Sequence, residues 1–492
     1  MSRRAEWAAA GGLALAAVLW WLLVPTYPAY DAYWHLVWGR ELMGGELPSF
    51  EVYAAPTQHP LYVVAAALLG LVGEFADRLL VLAGLLSLVA LVCGVWRLAR
   101  QLFGVWPAAL SALFVGSSFA FLLYAVRAYV DVPFLALVAW AAATEVAASS
   151  PGGSDAGRRK WTPMVLLALA GLLRPEAWVL AGLLWCWRAW GVRIAVREGT
   201  EKSHTPGELL ALGALTVTAP VLWLLSDLVV TGDPLHSLTS TSELAEALGR
   251  DRGIVKAPRL FVVYVFDVAR APVALAGVIG AVLAVRRFGW RAMAVPLALV
   301  LTGAVTFFGA GVAGLSLLPR YLTVPAVGLA VFAGYAVAGF TTLAAGDRWL
   351  PAWRRGAIVA AVVGIAFFAW KLPSFGTLSG ELRFVADTHR DLVRLLDDPE
   401  VRRARACGPI TFPTYRLVPD TRWVLDVGED QVTTRAIAEP DRGVAIFVDR
   451  SERKPRQRYG EADGVSRRTN REIPELFVEI GAEGPFAAYG RC

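Results

Sequence analysis

The 492-residue chain is 56% hydrophobic and 18% charged, with a mean hydropathy of +0.51, which excludes an ordinary soluble globular protein. Its net charge of +6 does not argue for a nucleic-acid partner. The positives stand in short clusters between apolar runs, the pattern of loops held on the cytoplasmic side of a membrane.

Arginine greatly outnumbers lysine, which occurs only at Lys160, Lys202, Lys256, Lys371 and Lys454. With this much Ala and Gly, that bias points to a GC-rich, bacterial source. Of the four cysteines, Cys93 and Cys186 lie in apolar runs and read as small buried hydrophobes. Cys407 and Cys492 bracket the polar tail and suit a disulfide if that tail faces an oxidising compartment.

Arg3 and Arg4 precede an apolar run from Trp7 to Val24 that lacks a small-x-small cleavage site. We read it as an uncleaved first transmembrane helix. Further spans are expected at 78–97, 107–125, 131–149, 161–174, 176–191, 208–231, 258–285, 292–314, 320–343 and 356–372, eleven in all. The run Leu61–Val72 would rise only about 18 Å against a hydrocarbon core of about 30 Å, so it is expected to lie in the outer interface. Charge parity supports that choice. With Leu61–Val72 not spanning, the clusters Arg97/Arg100, Arg158 to Lys160, Arg188 to Lys202, Arg286 to Arg291 and Arg348 to Arg355 share the N-terminal side. Only Lys256/Arg259 falls on the other side. The expected topology is a multi-pass plasma-membrane protein with a cytoplasmic N-terminus and an extracytoplasmic C-terminus.

The expected domains are therefore a transmembrane domain over 1–372, with a first outer loop at 26–77, and a small extracytoplasmic α/β domain over 373–492. In the latter, Ser379 to Arg405 has the apolar spacing of an amphipathic helix. Strand-like runs follow at Pro409–Pro413, Arg422–Val427, Val444–Val448, Leu476–Ile480 and Phe486–Tyr489. The charged segment Ser451–Arg471 is expected to be a mobile loop.

The chemistry concentrates on the outer side. Asp31 sits a few residues past the first span in YDAYWHLVWGREL, with His35 and an aromatic strip around it. It could be a solvated loop residue or a helix N-cap. A partly desolvated carboxylate there also suits a general base toward a hydroxyl, and that reading is favoured. Arg127 and Asp131, in RAYVDVP, are either an ordinary helix start or part of a site; the residues do not choose. Arg174 and Glu176 crowd two charges into one tight turn, where ionisable groups near an apolar zone are costly. They either pair with each other or hold and orient an anionic headgroup. Arg320, in LLPRYLTVP, runs against the positive-inside trend, and its planar fork of donors suits phosphate. His59, before Pro60, is open between metal ligand, phosphate donor and turn residue. Outer carboxylates such as Asp31 and Asp131 suit either base chemistry or a divalent cation. No nucleotide-binding loop is present, so a donor would arrive in the membrane.

In these residues the chain resembles the GT-C superfamily of polytopic glycosyltransferases that use polyprenyl-phosphate-linked sugars, in particular the protein mannosyltransferase and aminoarabinose transferase type. Asp31 matches the first-loop acid. His59, Pro60 and Leu61 match the loop-end motif one Pro short. Arg127 and Asp131, the Arg174–Glu176 turn, and Arg320 with Tyr321 match three further motifs in order. The resemblance covers roughly 7–372. It implies a GT-C-like helical membrane fold of about eleven spans, and an inverting transfer from a polyprenyl-phosphate sugar to a glycan, lipid or protein hydroxyl. Asp31 would be the base, with Arg320 and Arg174 on the leaving phosphate. Some relatives need a divalent metal such as Mg or Mn and others do not. Two other readings stand beside it. One is a lipid-linked saccharide flippase, disfavoured because ionisable residues gather at helix ends and not at mid-membrane. The other is an inactive accessory protein that keeps the fold.

Overall fold

The computed structural model describes residues 2–149, 156–200, 204–437, 439–449, 451–461 and 464–492. Among these, nine helices are long and apolar enough to cross a membrane: Arg3–Leu23, Gly73–Phe103, Asp131–Ala148, Glu176–Glu198, Pro206–Thr231, Ala271–Phe288, Ala294–Val312, Pro319–Thr342 and Leu350–Asp397. Val105–Gly116 and Phe119–Val126, bent by 54°, make a tenth if counted as one span. The chain is a multi-pass membrane protein.

Three expected spans differ from the observed helices, the run at 107–125 being the bent pair just described. The run at 161–174 is the helix Ala156–Gly171 of 16 residues, which rises about 24 Å and falls short of a full crossing. The run at 258–285 is broken at Arg270, whose φ of +66° ends the Ala257–Val268 helix. Pro272 then starts the next helix, where its missing N–H costs nothing. The expected inner cluster ends at Lys202, which lies outside the described residues. Leu61–Val72 is the short apolar helix Pro60–Gly70, below spanning length.

By internal contacts the chain forms two compact units, one of residues 1–20, 59–62 and 82–375, the other of residues 21–58, 63–81 and 376–492. In the first unit the helix Thr323–Ala338 is buried along almost its whole length. Small residues let its neighbours approach closely, as in other membrane bundles. A Cβ added at Gly280 would lie 1.9 Å from the Phe332 carbonyl oxygen, and one at Gly334 would lie 2.3 Å from the Pro107 carbonyl oxygen. Either substitution forces helices apart.

In the second unit a five-stranded sheet runs in the order β2–β1–β3–β5–β4, with β1 Ile410–Phe412, β2 Val432–Thr434, β3 Gly443–Val448, β4 Val478–Glu483 and β5 Phe486–Arg491. β1 pairs parallel with β2 and β3, and β5 pairs antiparallel with β3 and β4. The helix Pro373–Asp397 buries Leu382, Val385, Leu392, Leu395 and Leu396, the apolar face expected from its spacing. Cys407 and Cys492 are joined by a disulfide.

The expected strand Arg422–Val427 is instead part of the helix Val418–Leu425. Pro419 in its first turn fits the helix start, and Asp426 ends it in the left-handed conformation at φ +53°. The expected mobile loop Ser451–Arg471 holds short helical turns. Tyr459, Ser466 and Asn470 are buried, and Asn470 exchanges side-chain hydrogen bonds with the Val448 N–H and carbonyl.

Candidate functional site

Each unit carries one cluster of the residues singled out in the sequence. In the first unit the organising residue is Arg174, in the turn between Ala156–Gly171 and Glu176–Glu198. Its Nε donates to both Glu176 oxygens at 3.1 and 3.2 Å, its Nη2 to Glu176 Oε1 at 2.5 Å, and its Nη1 to Asp131 Oδ1. Asp131 is the first residue of the helix Asp131–Ala148, where a carboxylate also meets the positive end of the helix dipole. The guanidinium carbon lies 5.7 Å from the Phe134 ring and 5.5 Å from the Tyr321 ring. Asp131 is 0% exposed and Arg174 4%.

Burial alone would lower the Arg174 pKa, but the Asp131 and Glu176 carboxylates outweigh it and raise the pKa, with Arg320 opposing them. Arg174 is thus permanently charged and its fork is spent on two carboxylates. One guanidinium faces two carboxylates, which take up three of its nitrogens.

Arg320 lies in the 3-10 turn Pro319–Leu322. That turn is fixed on both sides. Thr323 Oγ1 donates to the Arg320 carbonyl at 2.8 Å, and Leu317 N–H donates to the Asp251 carbonyl at 2.7 Å. Leu322 and Leu317 are buried with Ala257 and Phe307. Arg320 itself is half-buried. Arg127 is buried at the end of Phe119–Val126. The next residue, Ala128, takes φ +52°, and Tyr62 Oη donates to its carbonyl at 2.6 Å. Leu61 N–H donates to the Leu172 carbonyl at 3.2 Å. The loop-end motif around His59 therefore braces both the Arg127–Asp131 turn and the Arg174 turn. Buried His59 packs edge-on to Trp223, centroids 5.6 Å apart.

In the second unit Asp31 occupies the first turn of the helix Tyr30–Met43, whose residues 32–39 are all buried. Asp31 is half-buried, and its carbonyl oxygen lies 2.5 Å from His35 Nδ1. Burial pushes the His35 pKa down to about 4, against the opposing pull of Asp31. His35 is therefore a neutral ring, held edge-on to Trp38 at 5.1 Å. The far end of this helix is locked to the tail. Glu41 accepts from Arg422 at 2.6 Å and from Ser49 N–H at 2.9 Å. Arg40 donates to the Arg422 and Trp423 carbonyls at 2.9 and 3.0 Å, filling acceptors at a helix end. Tyr27 Oη donates to Asp420 at 2.6 Å, and burial followed by the Asp420 charge raises the Tyr27 pKa well above its usual value.

Among the described residues no group of three or more His, Cys, Asp or Glu side chains is arranged to hold a metal ion. Asp131 already has one oxygen on Arg174. Sequence reasoning missed Arg422, Tyr62 and Asp420 as supports. Tyr62 next to the loop-end motif was the one signal that could have been followed.

The chain combines a helical membrane body with a small five-stranded sheet near its C-terminus, the fold class expected from the sequence. No family model matches the chain, and no curated protein sequence matches it. Solved structures do. The chain is similar to ArnT from Cupriavidus metallidurans bound to undecaprenyl phosphate, at 15% identity and a TM-score of 0.57, over 99% of this chain and 98% of that one. It is also similar to the oligosaccharyltransferase of Archaeoglobus fulgidus in the apo form, at 9% identity and a TM-score of 0.53, over 88% of this chain and 64% of that one. The same oligosaccharyltransferase in complex with Zn and sulfate gives 11% identity and a TM-score of 0.50, over 85% of this chain and 59% of that one. The chain thus spans ArnT almost end to end and about three fifths of the oligosaccharyltransferase.

Proposed function

We propose that this protein is an integral membrane glycosyltransferase that moves a sugar from a polyprenyl-phosphate donor to an acceptor hydroxyl with inversion. The observation that carries the reading is the end-to-end likeness to a structure holding undecaprenyl phosphate. The Asp31 helix and the Arg174 cluster add the chemistry. In the reaction the acceptor oxygen attacks the anomeric carbon, the bond from that carbon to the phosphate oxygen breaks, and the hydroxyl proton passes to the Asp31 carboxylate. The electron pair leaves on the lipid phosphate, which Arg320 stabilises, with Arg127 as a second cation of the same unit. Arg174, Asp131 and Glu176 hold the turn geometry around those arginines, with His59 and Tyr321 packed into the same unit. His35 fixes the helix turn that presents Asp31.

The protein acts at the outer face of the plasma membrane, its N-terminus cytoplasmic and its tail outside, on a glycan, lipid or protein acceptor. A mannosyl donor is the first to assay, because the motifs resemble the mannosyltransferase type. The test is transfer of radiolabelled sugar from a polyprenyl-phosphate donor by purified protein, with and without Mg or Mn. Asp31→Asn should lose about 10²–10⁴-fold in turnover at unchanged thermal stability. Full activity in that variant would remove Asp31 from the role of base. Lipid translocation without sugar transfer would favour a flippase.

A further inference from the structure

The second unit contains a cavity of about 380 Å³ that the transfer reaction does not use, lined by Glu74, Asp77, His389, Arg390, Arg394 and Trp423 among others. Its walls separate the two signs of charge by element. Glu74 and Asp77 stand in the first turn of the stretch Gly73–Phe103, and Arg390 and Arg394 stand one turn apart on the helix Pro373–Asp397. Gly73–Phe103 has 31 residues, a length of about 46 Å that overreaches the hydrocarbon core by about 16 Å. A helix of that length reaches past the core at one end or both, and its first turn is the end that carries the carboxylates. Just beside Glu74 the chain leaves Leu71, Val72 and Phe75 exposed at 66%, 54% and 47%, an apolar strip suited to acyl chains. Arg78 stacks over Trp21 and Phe75 at 5.3 and 5.8 Å, the amphipathic pairing of a membrane boundary.

The polar groups keep capacity for a ligand. Asp77 accepts from Tyr33 Oη at 3.3 Å and from Arg78 N–H at 2.5 Å, which leaves lone pairs on a carboxylate. Arg394 pairs with Glu483 at 3.2 Å and Arg390 with Asp387. Both arginines are more than half exposed there, so these surface pairs yield readily to a stronger acceptor. One cavity thus draws carboxylates from one element and guanidiniums from another. We propose that the cavity receives the primary-aminoalkyl-phosphate headgroup of a membrane lipid such as phosphatidylethanolamine, its ammonium N–H donors at Glu74 and Asp77 and its phosphate at Arg390 and Arg394.

The full-length protein in detergent is titrated with phosphatidylethanolamine, phosphatidylcholine and phosphatidylglycerol, and bound lipid is counted by native mass spectrometry. Phosphatidylethanolamine should be retained at a concentration about tenfold lower than either other lipid. Glu74→Gln and Arg394→Gln, both at exposed positions, should each erase that preference while the gel-filtration profile and sugar transfer stay as in the wild type. Soluble glycerophosphoethanolamine should compete for the site, which separates headgroup recognition from capture of the acyl chains. Equal retention of the three lipids would overturn the proposal. So would a preference that survives both substitutions, or one that the soluble headgroup does not compete away.

Discussion

Arg422 donates to the Glu41 carboxylate across 2.6 Å, joining two residues 381 positions apart in the chain. The pair is 1% and 10% exposed at its side chains. Arg422 also stacks over Trp34 at 5.4 Å and donates to Ser49 Oγ at 3.1 Å. The helix that carries Asp31 is therefore held at its far end by a charge that belongs to the tail.

Removing one member strands the other in a dry site, which costs about 3–5 kcal/mol. Glu41→Leu or Arg422→Met should each lower the thermal midpoint of the purified protein clearly. The double replacement by Met and Leu should cost much less than the two singles combined, because no charge is left buried. Additive losses in that double-mutant cycle would show that the pair is not coupled.

His35 gives the helix a pH dependence. Its pKa is pushed down to about 4 by burial, whereas an unfolded chain has an ordinary His value of about 6.5. Between these values the unfolded chain binds the extra proton and the folded one does not. Stability is then fully present above about pH 6.5, falls as the pH drops, and the loss is complete below about pH 4. The whole effect is on the order of 3 kcal/mol. Thermal midpoints of the wild type and His35→Asn, followed from pH 7 to pH 4, should converge as the pH falls. Parallel curves would mean that His35 titrates normally.

The disulfide closes 85 residues of chain between Cys407 and Cys492. The chain-entropy argument gives about 4–5 kcal/mol for a loop of this length. Protein purified without reductant should yield the two cysteine peptides linked in a non-reducing digest. Alkylation of the unfolded, unreduced chain should reach only Cys93 and Cys186, the two free thiols. Reduction should lower the midpoint of the unit that holds the sheet. Four alkylated cysteines without reductant would rule the bridge out and count against an extracytoplasmic tail.

What could be seen in the sequence follows from which forces are local. Apolar runs mark spans because hydrocarbon thickness sets their length, so Asp131–Ala148 and Pro206–Thr231 match the expected 131–149 and 208–231 closely. The break at Arg270 did leave a local trace, since Asp267, Arg270 and Pro272 interrupt the apolar run 258–285, but the expected span runs straight through them. Arg422–Val427 looked like a strand from Trp, Val and Leu. Its helix instead goes with the turn at Pro419 and the buried pairing to Glu41, and only the first of these is local. β2 is three residues long, too short for an alternation to register. The turns at Arg127–Asp131 and Arg174–Glu176 were both visible as motifs, yet nothing local said that Arg174 reaches Asp131, 43 residues earlier. The sequence supplied the members of the cluster, and only the fold decided who pairs with whom.

That pairing separates the roles of two arginines with the same chemistry. Arg174 is buried, with three nitrogens on the carboxylates of Asp131 and Glu176. Arg174→Met leaves both carboxylates without their cation in a site where Asp131 is 0% exposed, at a cost of about 3–5 kcal/mol. Its expected signature is a lower thermal midpoint and poor yield, and Arg174→Lys should recover only part, because an ammonium cannot reproduce the fork. Arg320 is half-buried on a turn that Thr323 and Leu317 brace through the backbone. Arg320→Gln should therefore fold within about 1 kcal/mol of the wild type. If Arg320 meets the leaving phosphate in the transition state, that variant should lose about 10²–10³-fold in kcat with little change in KM for the donor. A wild-type kcat in Arg320→Gln would take the phosphate role away from it. An unchanged midpoint in Arg174→Met would deny Arg174 its place as the charge that keeps the two carboxylates together.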